Sequence, residues 1–152
     1  MLTLGLDPGG TTGYAVVTEA GVVVEAGSFG WEEWAILERL LTLPLTGVVI
    51  ERFALYGHKA GALVGSEMEA AQVIGAVRYA LAQPNRNAEV TTLTPRLHFQ
   101  PASSIHDGAR RLSPYARRLV EAAGADGVDR HAKDALAHAL VYLSKQKKEG
   151  LR

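Results

Sequence analysis

The chain has 152 residues, of which 47% are hydrophobic and 21% charged, and its formal net charge at pH 7 is zero. It is long enough to bury a substantial core, and we expect a single domain over residues 1–152. No apolar run approaches the ~20 residues that span a bilayer, and the absence of cysteine excludes disulfides and thiolate metal sites. Because no basic region precedes the apolar start, we expect a cytoplasmic protein without a signal peptide or a membrane partner.

The charges are distributed unevenly along the chain. Residues 1–51 contain seven acids and one base, whereas residues 78–118 contain seven arginines and two acids. An acidic pocket beside a basic surface suits metal ions and a polyanion better than a neutral small molecule. The alternative is that the arginines are scattered solvated positions.

The first predicted elements form an antiparallel meander. Apolar runs predict strands over about 2–7, 13–18 and 22–29, and the short turns between them leave no room for crossovers. The first strand stops at Asp7, directly before a Pro-Gly-Gly turn. Since Asp often bonds its own backbone in turns, this stretch alone favours a turn residue over a functional acid.

A predicted helix over about 31–43 leads to a fourth strand, over about 47–52. Like the first strand, it is an apolar run that ends in a carboxylate, here Glu51. A strand reached through a helix normally rejoins its sheet in parallel. If it lies beside the first strand, Asp7 and Glu51 meet at the edge where open α/β sheets bind ligands. Two such carboxylates repel each other unless a cation or a proton intervenes.

The rest of the chain completes a mixed α/β pattern. Its predicted elements are helices over about 62–82, 113–123 and 129–147, a fifth strand over about 89–93, and a loop with a short helix within 95–112. The last helix has small apolar residues at helical spacing, which suits close packing on a sheet. His131, Asp134 and His138 share an adjoining face, where His138 is interpreted as a supporting or packing residue. The order predicts an α/β fold with a mixed five-stranded sheet, a meander followed by parallel strands, flanked by helices.

Three acids therefore occupy special positions: Asp7, Glu51 and Asp134. Mg²⁺ prefers oxygen ligands and usually takes one or two carboxylates, with water and phosphate oxygens completing its shell. Two such ions about 3.5–4 Å apart can activate a water and stabilise the leaving oxygen of a phosphodiester. The pattern thus supplies the parts for two-metal phosphoryl chemistry. For Asp134 the ordinary alternative is a solvated acid on a helix surface.

Several motifs in this order resemble the RuvC-type Holliday junction resolvases of the ribonuclease H-like superfamily. They are Leu4–Gly9, Thr12–Tyr14, Val49–Glu51 and His131–Ala137. The resemblance covers nearly the whole chain as one RuvC-like nuclease domain. It implies a crossover junction endodeoxyribonuclease of DNA recombination and repair, which resolves four-way DNA junctions by symmetric paired nicks with two Mg²⁺ or Mn²⁺ ions per active site. It also implies a homodimer, with the long helix over 62–82 in the dimerisation region.

The resemblance implies a role for each residue of the motifs. Asp7 would bridge both metals, Glu51 would bind the metal on the side of the attacking water, and Asp134 would bind the other. His131 matches a position that is Asp in some members and His in others, and it could bind metal or help to activate water. These four are our candidate catalytic and metal-binding residues. A structural or solvated role is the alternative for His131.

The candidate DNA contacts follow the fourth strand and lie in the basic segment. Phe53 matches an aromatic residue that wedges into the junction centre, and Tyr56 is a rival for that role; both could instead cover the edge of the core. Salt-dependent phosphate contacts would come from basic side chains. The full set of DNA-binding candidates is Phe53, Tyr56, His58, Lys59, Arg110, Arg111, Arg117 and Arg118.

Other functions remain open from the sequence. The loop between Asp-Pro-Gly and Thr-Gly is one residue shorter than the usual bacterial pattern, which fits a phage-encoded member acting in a bacterial cell or an infected host. A related nuclease of the same fold could act on other branched DNA or on RNA, and a non-catalytic protein could only bind junctions. An actin-like or sugar-kinase-type ATPase shares the first phosphate loop, but it needs two such domains and a second loop.

Overall fold

The computed structural model describes residues 1–30, 32–53, 68–83, 95–108, 111–125 and 127–150. The strands in this part of the chain are β1 Leu2–Asp7, β2 Thr11–Thr18, β3 Val23–Gly30, β4 Leu45–Glu51 and β5 Arg96–Gln100. The helices are α1 Trp34–Leu41, α2 Glu69–Ala82, α3 Pro114–Ala122 and α4 Arg130–Gly150, with a 3₁₀ turn at Ala102–Ser104.

The strands form one mixed sheet in the order β3-β2-β1-β4-β5. Strands β1, β2 and β3 pair antiparallel, whereas β1 with β4 and β4 with β5 pair in parallel. This confirms the predicted meander followed by parallel strands. The register pairs Leu6 with Ile50, so the next residue of each strand, Asp7 or Glu51, lies at the same carboxyl edge.

The side chains of the sheet alternate between two apolar cores. Leu4 and Leu6 of β1 belong to the core shared with α1 and α2, and Val48 and Ile50 of β4 belong to it as well. Because successive side chains of a strand point to opposite faces, the acid that ends each strand lies on the other face. That face is covered by α3 and α4, which contribute the second core. Both strand-end acids are therefore on the α4 side of the sheet.

Two glycines let α4 lie unusually close to the sheet. A Cβ atom added at Gly5 of β1 would overlap the carbonyl oxygen of Ala135, and one added at Gly13 of β2 would overlap the carbonyl oxygen of His131. Only glycine permits this approach of helix backbone to strand backbone. The predicted small-residue face of the last helix is buried, including Ala132 and Ala139. This packing brings Asp134 to the strand ends.

The fifth strand lies later than predicted. Arg96–Gln100 pairs in parallel with β4, although residues 95–112 were expected to form a loop with a short helix. The sequence does not show the apolar pattern of a buried strand, because two side chains of β5 on the α4 side are polar. His98 accepts or donates a 2.8 Å hydrogen bond with Tyr142, and Gln100 contacts His138. The strand predicted over 89–93 lies outside the described residues.

The helices differ from prediction mainly at their ends. α1 begins at Trp34 rather than at about residue 31, and its buried residues are Leu37, Leu40 and Leu41. α3 begins as predicted, with Ser113 as its N-cap accepting a hydrogen bond from the Ala116 N–H at 3.2 Å. Although α4 has 21 residues, neither it nor another helix in the described ranges is long and apolar enough to cross a membrane.

Candidate functional site

Three acids from different elements lie at the carboxyl edge of the sheet. Asp7 ends β1, Glu51 ends β4 and Asp134 lies in the second turn of α4. We call these three residues the carboxylate cluster. Their side chains are largely buried, with exposed fractions of 17% for Asp7, 25% for Glu51 and 10% for Asp134. The structure therefore places all three predicted acids on one side of the sheet, and none of them extends into open solvent.

The acids of the cluster interact electrostatically. Burial first, and then the negative charges of Glu51 and Asp134, raise the pKa of Asp7 from 3.8 to about 6, while the hydrogen bond with His131 opposes the rise. Burial disfavours an ionised carboxyl, and neighbouring carboxylates add repulsion. Near neutral pH, Asp7 thus carries a negative charge that its surroundings do not fully stabilise.

Each acid of the cluster faces a different histidine. His131 Nδ1 lies 3.2 Å from Asp7 Oδ2, and His138 Nε2 lies 3.1 Å from Glu51 Oε2. Both histidines come from α4, the helix that also carries Asp134. One helix therefore supplies one acid of the cluster and contacts the other two through its histidines.

The third histidine comes from the loop that follows the 3₁₀ turn. His106 Nε2 lies 3.2 Å from Asp134 Oδ1, but the alignment does not make a hydrogen bond. This buried ring nitrogen has no hydrogen-bond partner within the described part of the chain. His106 is held near Asp134 by a backbone bridge to Leu112, next to the fully buried Ile105.

The first turn of α4 is fixed by a cap. Asp129 Oδ1 accepts hydrogen bonds from the backbone N–H groups of His131 at 2.8 Å and Ala132 at 3.1 Å. Such a cap satisfies N–H groups that have no partner inside the helix. It therefore holds the backbone of His131 in place next to β2, whereas the His131 side chain is 46% exposed.

The chemistry of these donors fits a hard divalent cation. Carboxylate oxygens are the ligands that Mg²⁺ and Mn²⁺ prefer, and a cation would relieve the repulsion that acts on Asp7. No three His, Asp or Glu side chains among the described residues form a group that could hold one ion. Since Mg²⁺ usually takes only one or two protein carboxylates, with water and phosphate oxygens completing its shell, the cluster suits it in donor type.

A groove lies on the α2 face of the sheet, near the end of β4. It has a volume of about 320 Å³ and lies between the ends of β4 and β5 and helix α2. Phe53 and Phe99 are half-buried in it, while Arg52 and Arg78 are exposed. The backbone N–H of Arg52 donates to the Gln100 carbonyl at 2.7 Å, which extends the strand pairing past Glu51. The groove thus offers aromatic and cationic side chains on the α2 face of the sheet, whereas the carboxylate cluster lies on the α4 face.

The remaining DNA-binding candidates have different outcomes. Phe53 lines the groove, whereas Tyr56, His58, Lys59 and Arg110 lie outside the described residues. Three further candidates are exposed arginines on α3 or just before it: Arg111, Arg117 and Arg118. Arg117 also donates to the Leu112 carbonyl oxygen at 3.4 Å.

Sequence reasoning missed part of this site. Gln100 could have been found from the alternation of apolar and polar residues in β5, which places every second side chain on the α4 face. Arg78 and Phe99 line the groove only because α2 lies against the end of the sheet. His106 gave no signal, because its loop has no periodic pattern.

Comparisons with known proteins support the fold. No protein-family model and no curated protein sequence matches this chain. Among solved structures, the fold is similar to T. thermophilus RuvC in complex with a Holliday junction substrate, with a TM-score of 0.64 and 16% sequence identity. The match covers 97% of this chain and 96% of that chain. The mixed five-stranded sheet flanked by helices is therefore a RuvC-type, ribonuclease H-like fold.

Proposed function

We propose that this chain is a metal-dependent endonuclease that resolves four-way DNA junctions by paired nicks. The observation that carries the proposal is the carboxylate cluster: two acids end adjacent parallel strands, and the third lies on the helix that covers them. The structural neighbour with bound Holliday junction DNA supports the choice of substrate. The uneven charge of the sequence supports a polyanionic ligand.

In this proposal, Asp7, Glu51 and Asp134 would hold the divalent cations. Bound Mg²⁺ or Mn²⁺ would supply Lewis-acid stabilisation of the negative charge that develops on the phosphate. The protein then has to fix the donors and limit the access of bulk water. The cluster is largely buried on the α4 face, and α4 packs closely against the strands at Gly5 and Gly13. This packing fixes the donors and limits the access of water.

His131 is the candidate for proton transfer. Its ring contacts Asp7 and is about half exposed, so it is the most accessible of the three histidines that face the cluster. A neutral imidazole can accept a proton from water that attacks in line. The products would be a 5′-phosphate and a 3′-hydroxyl.

The groove at the end of β4 suits DNA at a branch point. Bases that are unpaired at a junction expose their faces, and aromatic side chains such as Phe53 and Phe99 can stack on them. Arg52 and Arg78 would neutralise the phosphates next to such bases. The groove therefore favours branched DNA over a fully paired duplex.

Paired nicks require two active sites, and we propose a homodimer that uses helix α2. Tyr79 on this helix is 71% exposed, a large fraction for an aromatic side chain. A substitution such as Tyr79→Glu would place a charge on that surface. It is expected to produce monomers in sedimentation experiments and single nicks instead of paired ones.

One observation favours a second candidate, a non-catalytic protein that binds junctions. Each acid of the cluster faces a histidine, and no three ligand side chains of the described ranges converge on one point. A site that stayed in this arrangement would bind DNA without cutting it. The two candidates differ in one outcome, cleavage in the presence of a divalent cation.

The test is cleavage of a labelled synthetic four-way junction by the native chain and by Asp7→Asn. Linear duplex, flap DNA and RNA hairpins serve as comparison substrates, each with Mg²⁺, Mn²⁺ or EDTA. The proposal expects metal-dependent nicks in the junction that the variant does not make. Binding without cleavage in either metal would support the non-catalytic candidate, and cleavage of flap or RNA but not of the junction would show a different substrate.

A further inference from the structure

A fully buried histidine of α4, His138, contacts the Glu51 carboxylate. His138 is fully buried, and both of its ring nitrogens contact side-chain oxygens. Nε2 lies 3.1 Å from Glu51 Oε2, and Nδ1 lies 2.9 Å from Gln100 Oε1. The Ser104 hydroxyl lies 3.3 Å from the same atom of the Gln100 amide. A buried chain of polar groups thus runs from the loop after β5 to the carboxylate cluster.

The direction of the hydrogen bond to Glu51 follows from the chemistry of the groups. An ionised carboxylate can only accept, so Nε2 has to carry the proton. In a neutral imidazole, Nδ1 then carries no proton and accepts, so the Gln100 amide presents its NH₂ group to the ring, since the oxygen and nitrogen of an amide are assigned from such a network. The His138 Nε2–H therefore donates to Glu51.

Glu51 needs such a partner more than the other two acids. It is the most exposed acid of the cluster, and fixing a Glu side chain costs up to about 2 kcal/mol of rotamer entropy. Gln100 is its direct neighbour in the parallel register of β4 and β5. His138 follows Asp134 by one helical turn, so the helix that supplies one acid also reaches the second.

We propose that His138 is a positioning residue, which holds the Glu51 carboxylate toward the rest of the cluster, and that Gln100 fixes the His138 ring. This role rests on the proposed metal-dependent function. Partners behind a metal ligand set its orientation, and their loss typically lowers metal affinity or activity about 10–100-fold. The alternative is that His138 only fills space in the core.

A matched pair of variants separates these roles. In His138→Gln, the amide nitrogen can reach approximately the position of Nε2 and donate to Glu51. In His138→Asn, the shorter side chain reaches only the position of Nδ1, so the donor to Glu51 is lost. Tyr142→Phe is the control on the same helix, because it removes a 2.8 Å hydrogen bond to His98 instead.

The readouts are Mn²⁺ binding to DNA-free protein by electron paramagnetic resonance, kcat and KM for junction cleavage, and the thermal unfolding temperature. For His138→Asn, we expect Mn²⁺ affinity and kcat to fall about tenfold or more, with KM nearly unchanged. His138→Gln should retain most of both. Tyr142→Phe should lower the unfolding temperature and leave Mn²⁺ binding unchanged. If His138→Asn does not fold, Gln100→Met replaces it, and we expect an intermediate loss of Mn²⁺ affinity.

Three results would overturn the proposal. Equal losses in His138→Asn and His138→Gln, or losses that follow the unfolding temperature across all variants, would show a packing role. Unchanged Mn²⁺ binding in His138→Asn would show that Glu51 needs no support. A native chain that neither binds Mn²⁺ nor cleaves DNA would overturn the proposed function as well, and this result is distinct because it appears before any substitution.

Discussion

Asp7 is a buried acid whose neighbours oppose its charge. Its pKa of about 6 results first from burial and then from the charges of Glu51 and Asp134. A site that only stabilised the fold would not retain this arrangement, because an amide would fit the same space without the repulsion. Such an electrostatic cost of ionising Asp7 is expected at a site where a bound cation or phosphate group offsets the repulsion. Perturbed pKa values are concentrated at functional sites.

The pH dependence of stability tests this cost. Because the folded-state pKa of Asp7 lies above its ordinary value of 3.8, the folded state binds more protons between about pH 4 and 6, and stability falls as pH rises through that window. In metal-free buffer, Asp7→Asn should therefore be more stable than the native chain above about pH 6, by up to about 3 kcal/mol, and equally stable below about pH 4. Urea unfolding at several pH values measures the difference. A variant that is less stable than the native chain at neutral pH would contradict the assignment.

The His131 side chain is expected to act in catalysis and not in folding. Because it is about half exposed, His131→Ala should change the free energy of unfolding by less than about 1 kcal/mol. Loss of a general base should lower kcat about 10²–10⁴-fold. Single-turnover cleavage of a junction, with urea unfolding alongside, separates the two effects. Unchanged cleavage would assign His131 to the protein surface.

The acids were predictable from sequence and most of their partners were not. Asp7 and Glu51 each follow a short apolar run, so the parallel-strand rule alone places them together. Helical spacing placed His131 beside Asp134. His106 comes from a loop without a periodic pattern, so spacing does not place its ring beside Asp134, whereas the alternation along β5 could have placed Gln100 on the α4 face.

At the scale of elements, the site depends on how α4 is seated. The carbonyl oxygens of Ala135 and His131 lie where side chains at Gly5 and Gly13 would be, so the helix backbone rests on the strands. The position of Asp134 relative to Asp7 is therefore set by the absence of two Cβ atoms. The sequence predicted a helix face of small residues, but it did not predict that this face packs against Gly5 and Gly13 of the strands.

A methyl group at this contact should displace the helix. Gly13→Ala is expected to destabilise the fold by about 1–3 kcal/mol or more, because the overlapping atom belongs to backbone that cannot move aside, and to lower cleavage strongly. Gly75→Ala in α2 is the matched control, since a Cβ there meets nothing within 4 Å. The free energy of unfolding of the control should rise by about 0.5–1 kcal/mol. Equal unfolding midpoints for the two variants would contradict this account of α4.

Strand β5 shows where pattern reasoning fails. Leu97 and Phe99 pack on one core, while His98 and Gln100 bond to residues of α4 on the other face. Because the side chains that β5 directs toward α4 are a histidine and a glutamine, the sequence of this strand has the polar composition of a loop. Its polar groups are paired only after the helix has docked, so tertiary contacts override the local pattern.

At the scale of the whole molecule, the acids of the cluster and the arginines of the groove lie on the two faces of the sheet. The carboxylate cluster ends at Glu51, and Arg52 begins the groove that Arg78 completes. In the proposed function, the acids would hold cations on the α4 face and the groove would hold a phosphate backbone on the α2 face. The sequence showed the segregation of charge but not its geometry, because Arg78 is far from Glu51 along the chain.

Salt dependence measures the contribution of the groove. If Arg52 and Arg78 contact phosphates, Arg52→Gln and Arg78→Gln should each weaken junction binding and reduce the slope of log K against log salt by about 1. Arg39→Gln is the control, because Arg39 forms an ion pair with Glu25. Fluorescence anisotropy over a range of salt concentrations in EDTA gives the slopes. Slopes equal to that of the native chain would remove the groove from the DNA interface.

The most direct test of the central claim uses a supercoiled plasmid that extrudes a cruciform, incubated with the native chain or with Asp7→Asn, Glu51→Gln or Asp134→Asn. Paired nicks across the junction convert the plasmid to a linear product, whereas independent single nicks yield a nicked circle. We expect linear plasmid from the native chain in Mg²⁺ or Mn²⁺, none in EDTA, and none from any of the three variants. Cleavage by a variant at the native rate would contradict the assignment of the carboxylate cluster as the catalytic centre.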